Sequence, residues 1–118
     1  PSPVDTLRRI HGLLGERGRL YLTVPNLASL EARLAGEHWD GLQIPVHLHH
    51  FSPASLRRTL ESAGFAVELC RTDSVADVSR NTWRALRASG QRSWLARMPW
   101  RVLQLLGLVA DACGRGQM

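Results

Sequence analysis

The spacing of apolar residues predicts a helix at the start of the chain and a strand directly after it. Residues 3–14 carry apolar side chains at helical spacing, and they follow a Ser-Pro pair that suits a helix start. Two glycines then mark a stop and a tight turn. Residues 19–25 are short, nearly continuous in apolar character and end at Pro25-Asn26, which is typical of a strand buried on both faces of a parallel sheet.

The rest of the pattern predicts one further strand among helices. The predicted elements are a short helix over 27–34, an irregular segment over 36–51, a helix from Pro53 to Ala63, a half-buried strand over 65–71, a helix over 76–88, and helical residues 93–112 that break or kink at Pro99. A strand–helix–strand passage whose first strand is apolar throughout favours an α/β fold with a parallel sheet and a right-handed crossover.

Two strands make a poor sheet by themselves, so the pattern predicts that partner strands belong to a longer protein. The first residue, Pro1 rather than Met, points the same way. We expect residues 1–118 to form a single partial domain, with an α/β core over 1–73 and a helical segment over 74–118.

Composition narrows the functional classes. All 15 basic residues are arginine, and with 10 acidic residues the formal net charge is +5. No uninterrupted apolar run is long enough for a transmembrane helix and no secretory signal is visible, so we expect a cytoplasmic protein. Cys70 and Cys113 form no CxxC pair and are expected to be reduced. The arginines are scattered without a recognisable nucleic-acid-binding module, which argues against a nucleic-acid partner.

Two stretches of sequence resemble a known enzyme family. Residues 7–26, which read "LRRIHGLLGERGRLYLTVPN", resemble the helix and fifth strand of class I S-adenosylmethionine-dependent methyltransferases. Residues 36–68, "GEHWDGLQIPVHLHHFSPASLRRTLESAGFAVE", resemble the stretch of the same family that reads "W…P.H…FS…L…L…AGF". The end of the chain, "DACGRGQM", looks like the approach to the family's final strand. The resemblance implies the C-terminal part of a Rossmann-like methyltransferase sheet.

The resemblance implies S-adenosylmethionine as the cofactor of the longer enzyme, and none for this chain alone. The family binds its cofactor in its first half, at a glycine-rich turn after the first strand and at an acidic residue after the second. The "GLLGERG" of this chain follows a predicted helix and precedes a strand, which is the wrong context for such a turn. We therefore expect no cofactor-binding residue here, an inactive chain in isolation, and the N-terminal half of the parent enzyme as a partner.

The resemblance places the substrate side of the site in the loop after the first predicted strand and in the irregular segment. The matching positions are Pro25 and Pro45 together with the candidate substrate-binding residues Asn26, Trp39, His47 and His50. The methyl acceptor is expected to be a small molecule. His47 or His50 either contacts the acceptor, where imidazole can accept a proton near neutral pH, or bonds the loop backbone and holds it in place. Trp39 either anchors the loop by packing or stacks on the acceptor.

The clustered histidines also raise the question of a metal site. Zinc can take several imidazoles. No cysteine or acid stands at convincing ligand spacing beside His47, His49 and His50, and Asp40 is a loose candidate. We expect no metal.

The C-terminal residues 92–113 combine tryptophan, arginine and an apolar run. This composition suits an interfacial membrane helix, a cover over a lipophilic acceptor, or a helix packed on the sheet or at a dimer contact. Two other functions stay open at this point: a regulatory or dimerisation domain derived from a methyltransferase, and a small basic module that binds nucleic acid.

Overall fold

The computed structural model describes residues 2–73, 75–90 and 94–112, with side chains as far as residue 110. Within these ranges the regular structure is helical. The helices are α1 (Pro3–Leu13), α2 (Leu30–Ala35), α3 (Pro53–Ser62), α4 (Ala76–Ala88), α5 (Trp94–Arg97) and α6 (Trp100–Ala112), with 3-10 turns at Gly36–His38 and Asp40–Leu42. Cys113, Arg92 and the predicted approach to a further strand over 113–118 lie outside the described residues.

Both Ser-Pro pairs begin helices, as the sequence predicts. At α3 the Ser52 hydroxyl accepts a hydrogen bond from the Ser55 amide at 3.1 Å, and the Ser55 hydroxyl accepts one from the Ser52 amide at 2.9 Å. This reciprocal cap satisfies two amides that the helix itself leaves unpaired. At α1 the Ser2 side chain makes no capping bond, and its carbonyl accepts from the Thr6 amide instead.

The short helix α2 begins at Leu30, three residues later than the sequence predicts. The Asn26 side-chain oxygen accepts from the Ala28 amide at 2.9 Å, which forms a local turn in place of a first helical turn. Ser29 then caps the helix, because its hydroxyl accepts from the Ala32 amide at 3.1 Å. Polar side chains that bond their own backbone therefore set the helix boundary.

The predicted α/β fold, a Rossmann-like sheet with strands near 19–25 and 65–71, is wrong for the described residues. These two segments form no ladder, and the β pairing found is an isolated parallel bridge between Asn26 and Phe51. Arg19 and Glu68 connect the segments through an ion pair at 3.6 Å between exposed side chains. A pair of strands is marginal without further strands or a covering layer, and side-chain contact does not replace backbone pairing.

The apolar pattern of the two segments indicates a burial that the described chain does not provide. Tyr21 is 83% exposed and Leu69 is 76% exposed. An apolar pattern indicates that a segment is favoured in a buried position. The segment forms a strand only when a neighbouring strand or layer provides that burial. This difference explains why the sequence predicts strands that the structure does not show.

One helix pair joins the N-terminal region to the middle of the chain. Helix α1 packs on α3, and the His11 ring meets the Phe65 ring edge-on at 4.9 Å and 87°. Arg8 donates to the Ser62 carbonyl at the end of α3 at 3.2 Å. Gly64 ends this helix with a φ of +98°, which a residue with a side chain rarely adopts. These contacts hold α1 against α3 and Phe65 without a sheet.

The main core lies between α2 with Trp39 on one side and helices α4 to α6 on the other. Its buried residues are Ala32, Ala35, Trp39, Leu86, Leu95 and Leu103. Half of this set comes from residues 31–39 and half from the C-terminal helices. The helical segment after residue 73 is therefore part of the same packed body as the irregular segment.

Polar contacts run alongside this core. Ser79 and Thr82 of α4 are fully buried, at 0% exposure. The Ser79 hydroxyl donates to the carboxylate of buried Glu31, and the Thr82 hydroxyl accepts from the Asp40 amide at 3.0 Å. Buried polar groups are costly unless they are paired, so these bonds fix α4 in one position against residues 31–40.

Helices α5 and α6 are separated at Pro99, as the sequence predicts. The Trp83 indole of α4 donates to the Met98 carbonyl at this break, at 2.7 Å. The bond satisfies a carbonyl that the interrupted helix leaves free. It also fixes the junction of α5 and α6 on α4.

The molecule is flat and elongated, with principal extents of 52 × 31 × 18 Å. Its radius of gyration of 16.2 Å exceeds the value of about 13.5 Å for a compact domain of this length. None of the helices in the described ranges has the length and apolar character needed to cross a membrane.

Leu103 and Leu105 provide a matched test of the core because they lie on the same helix. Leu103 is 3% exposed and Leu105 is 59% exposed. We expect Leu103→Ala to lower the free energy of unfolding by about 2–5 kcal/mol through lost burial and a cavity, and Leu105→Ala by less than about 1 kcal/mol. Urea unfolding followed by far-UV circular dichroism measures both. Equal losses in the two variants would contradict this packing of α6.

Candidate functional site

The predicted site residues lie on and beside one closed loop. We call residues 39–51 the site loop. It leaves the core at Trp39 and ends at Phe51, where the parallel bridge to Asn26 closes it and the Leu27 amide donates to the Phe51 carbonyl at 2.9 Å. This closure brings Asn26 next to the residue that follows His50.

Trp39 anchors the beginning of the site loop. It is 5% exposed and belongs to the main core. Gly41 lies against its ring, since a Cβ atom placed on Gly41 would stand 2.6 Å from Cε2 of the indole. The indole nitrogen is buried and has no hydrogen-bond partner among the described residues. The structure thus shows a packing role, while contact of Trp39 with the acceptor stays a prediction.

His47 and His50 both bond the backbone of the same loop. His47 Nδ1 lies 3.3 Å from the Gly41 carbonyl oxygen, and His50 Nε2 lies 2.9 Å from the Leu42 carbonyl oxygen. A carbonyl oxygen accepts and cannot donate, so each of these ring nitrogens carries the proton. The geometry supplies the loop-holding role that the sequence left as one of two alternatives.

The same bonds define the other nitrogen of each ring. In the neutral imidazole, His47 keeps Nε2 as its acceptor and His50 keeps Nδ1. Nε2 is the outer nitrogen of the ring, whereas Nδ1 lies close to its own backbone. His47 therefore has its acceptor nitrogen at the outer end of the ring, whereas that of His50 is next to its own backbone.

A tight turn returns the chain from Leu42 to His47. The Ile44–Pro45 peptide is cis, and the Val46 amide donates to the Gln43 carbonyl at 2.6 Å, as in a type VI turn. Gln43 adopts a left-handed φ of +37° at its start. Ile44, Val46 and Leu48 around this turn are about three-quarters exposed. Pro45, one of the predicted positions, thus shapes the loop.

Asn26 is partly used by its own backbone. Its side-chain oxygen accepts from the Ala28 amide, and its carbonyl accepts from the Ser29 amide at 3.0 Å. Neither of these bonds uses the side-chain Nδ2. Asn26 therefore offers a fixed amide beside the end of the site loop.

Sequence reasoning missed the support that α4 gives to the loop. Asn81 Nδ2 donates to an Asp40 carboxylate oxygen at 3.2 Å, next to the bond between Thr82 and the Asp40 amide. The available signal was the occurrence of Ser79 and Thr82, three residues apart, on the face that also carries Leu86. Small hydroxyl side chains on a buried helical face indicate a polar partner across the interface.

The described residues contain no group of three or more histidine, cysteine or acidic side chains placed to hold a metal ion.

The glycines of "GLLGERG" form no cradle for a nucleotide. Gly12 lies inside α1, and the Gly18 amide donates to the Gly15 carbonyl at 2.8 Å. A Cβ on Gly18 would stand 2.8 Å from Cβ of Leu14, so the turn packs on its own leucine. No cofactor contact is assigned to these residues.

Gly41 tests the anchoring of the site loop. We expect Gly41→Ala to push the Trp39 ring or the loop out of position, at a cost of about 1–3 kcal/mol in unfolding free energy. Gly12→Ala is the matched control, because a Cβ there meets nothing within 4 Å and alanine favours the helix by about 0.5–1 kcal/mol. Thermal unfolding and near-UV circular dichroism of the tryptophans follow both. A Gly41→Ala variant as stable as the parent would contradict the contact with Trp39.

Comparison with known proteins gives one family match for this chain. A family model described as a methyltransferase domain matches residues 1–69. The matched range contains α1, Asn26, the whole site loop and α3, and it ends before α4. The curated proteins and the solved structures gave no match.

Proposed function

This chain belongs to the methyltransferase-domain family, and from that premise we propose that it forms the acceptor side of an enzyme that transfers a methyl group from S-adenosylmethionine. The site loop carries the proposal. It lies inside the matched range, and two of its three histidines, His47 and His50, are fixed by bonds to the Gly41 and Leu42 carbonyls. Preorganised side chains on a closed loop are what the orientation of an acceptor requires.

The methyl donor belongs to a different part of the enzyme in this proposal. Bound S-adenosylmethionine supplies an electrophilic methyl group on a sulfonium. At the glycine turn Gly15–Gly18, the Gly18 backbone is covered by its own Leu14, and the turn follows a helix instead of a strand. We assign donor binding to the N-terminal half of the parent enzyme, and we expect this chain alone to be inactive.

The residues of this chain act on the acceptor. His47 takes a proton from an acceptor hydroxyl or amine at Nε2, while its Nδ1–H stays on the Gly41 carbonyl. His50 holds the loop through the Leu42 carbonyl. Asn26 Nδ2 donates to a polar atom of the acceptor and helps to orient it. The acceptor is a small molecule in this proposal.

A titration with S-adenosylhomocysteine tests where the donor binds. We expect no saturable change in the backbone amide shifts of this chain at millimolar ligand, because donor binding is assigned to the N-terminal half of the parent enzyme. Two-dimensional NMR of the labelled chain measures this directly. Saturable shifts at residues 24–26 and 47–50 would show that the chain holds the donor itself and would overturn the division of roles.

Amide substitutions separate a chemical from a structural role of each histidine. Asparagine keeps a donor near the Nδ1 position, and glutamine keeps one near the Nε2 position. In the parent enzyme we expect His47→Asn to lower kcat by about 10²–10⁴-fold, since the loop bond is kept and the proton acceptor is lost. His50→Gln should retain most activity, and His50→Ala should lose activity together with loop order.

Near-UV circular dichroism provides the folding control for these variants, because Trp39 reports on the loop. A well-folded His47→Asn enzyme with unchanged turnover would remove the proton-accepting role. Loss of turnover in His50→Gln with an ordered loop would instead assign the chemistry to His50.

A further inference from the structure

The net positive charge of the chain comes from residues outside the range matched by the family model. Residues 1–69 contain seven arginines and seven acidic residues, whereas residues 70–118 contain eight arginines and three acidic residues. The net charge of +5 therefore belongs to the C-terminal part. A concentration of one charge sign on one part of a protein favours partners of the opposite sign.

Arginines of α4 and α6 meet at the first turn of α6. The Arg80 guanidinium lies 5.0 Å from the centre of the Trp100 ring, and the Arg101 guanidinium lies 5.8 Å from it. Arg87 covers the Trp83 ring at 4.9 Å, beside the break between α5 and α6. Cation–π contact holds these charges close to aromatic rings.

An apolar row continues from this charged end along α6. Leu105, Leu108 and Val109 are 59%, 45% and 59% exposed and lie on one face of the helix. Arg101 stands one turn earlier on the same face, while Leu103 is buried on the opposite one. Trp94 of α5 is 58% exposed. We call Trp94, Arg97, Arg101, Leu105, Leu108 and Val109 the α5–α6 surface.

We propose that the α5–α6 surface binds peripherally to an anionic lipid bilayer. A helix that combines an apolar row with arginine and tryptophan lies in the plane of the bilayer interface, with its charges at the lipid headgroups. Helix α6 has 13 residues and is about 20 Å long, shorter than the hydrocarbon core of about 30 Å, so it lies along the surface. These residues lie outside the range matched by the family model, and the proposal does not rest on the proposed function.

Two other occupants fit the surface less well. Nucleic acid would engage the arginines, but it would leave the row of Leu105, Leu108 and Val109 in water. A second copy of the chain would cover that row, but it would bring two sets of arginines of like charge together. A bilayer satisfies the charge and the apolar row at once.

Vesicle flotation of the chain tests the proposal. We expect binding to vesicles of phosphatidylcholine mixed with phosphatidylglycerol, and none to vesicles of phosphatidylcholine alone. Arg97→Gln with Arg101→Gln should weaken binding about thirtyfold, given about 1 kcal/mol for each arginine near an anionic surface. The matched control is Arg9→Gln with Arg17→Gln, which removes the same charge from the exposed N-terminal region and should leave binding largely intact.

The apolar row has its own variant and control. Replacement of Leu105, Leu108 and Val109 by serine should weaken binding by about tenfold or more through lost apolar burial. The control is replacement by serine of Leu13, Ile44 and Leu69, which lie outside the α5–α6 surface and are at least 74% exposed. This control also removes exposed apolar area, and it should leave binding unchanged. Quenching of tryptophan fluorescence by brominated acyl chains gives a second readout that does not require a variant, and we expect quenching that Trp94→Phe reduces.

Several outcomes would overturn the proposal. Absence of binding to the anionic vesicles would do so directly. Equal loss of vesicle binding in the arginine variant and in its control would show that binding depends on the overall charge of the chain and not on the α5–α6 surface. Tighter binding to duplex DNA that the serine variant leaves unchanged would assign the surface to nucleic acid. A dimer in sedimentation that the serine variant dissolves, without vesicle binding, would assign it to a second copy.

Discussion

The packing of α4 against residues 31–40 is the interaction on which the rest of this structure depends. It joins the part of the chain matched by the family model to the helical part beyond it. Leu86 packs in the core with Trp39, and the Ser79 and Thr82 hydroxyls pair with Glu31 and the Asp40 amide. The apolar contacts provide most of the stabilisation, and the hydrogen bonds define the register, because a shifted helix would leave buried polar groups unpaired.

The geometry of the site loop follows from that packing in a short series of contacts. Trp39 is held in the core, Gly41 lies against its ring, and the Gly41 carbonyl accepts from His47. Each step fixes the position of the next group, so the orientation of His47 depends on the packing of α4. If His47 acts on an acceptor as proposed, this support would matter for the rate, because small errors in position lower a reaction rate considerably.

The sequence predicted those features of the fold that depend on neighbouring residues. The Ser-Pro starts of α1 and α3 and the break at Pro99 follow from local backbone chemistry, and they are confirmed. The prediction of a sheet was wrong because strand pairing depends on partners that are distant in the sequence. An apolar pattern indicates that a segment favours burial, but it does not show that a partner strand is present.

The four candidate site residues could be selected from the sequence by resemblance, and their arrangement could not. Asn26 and His50 come together through the bridge at Phe51, and the choice of ring nitrogen in each histidine depends on which carbonyl the loop presents. The contribution of Asn81 and Thr82 was missed because it joins residues about 40 positions apart. Spacing along a sequence carries little information on such contacts.

The absence of a ladder in residues 19–25, within the part of the chain that is described, has a consequence for local stability. Amides outside a ladder exchange with solvent by small local openings, whereas the amides of a packed helix exchange through larger unfolding events. Exchange in this segment should be fast and that in α4 slow, with Asn26 at the boundary because the Phe51 bridge begins there. The site loop would thus border a segment that opens readily, and the Phe51 bridge would mark the limit between them.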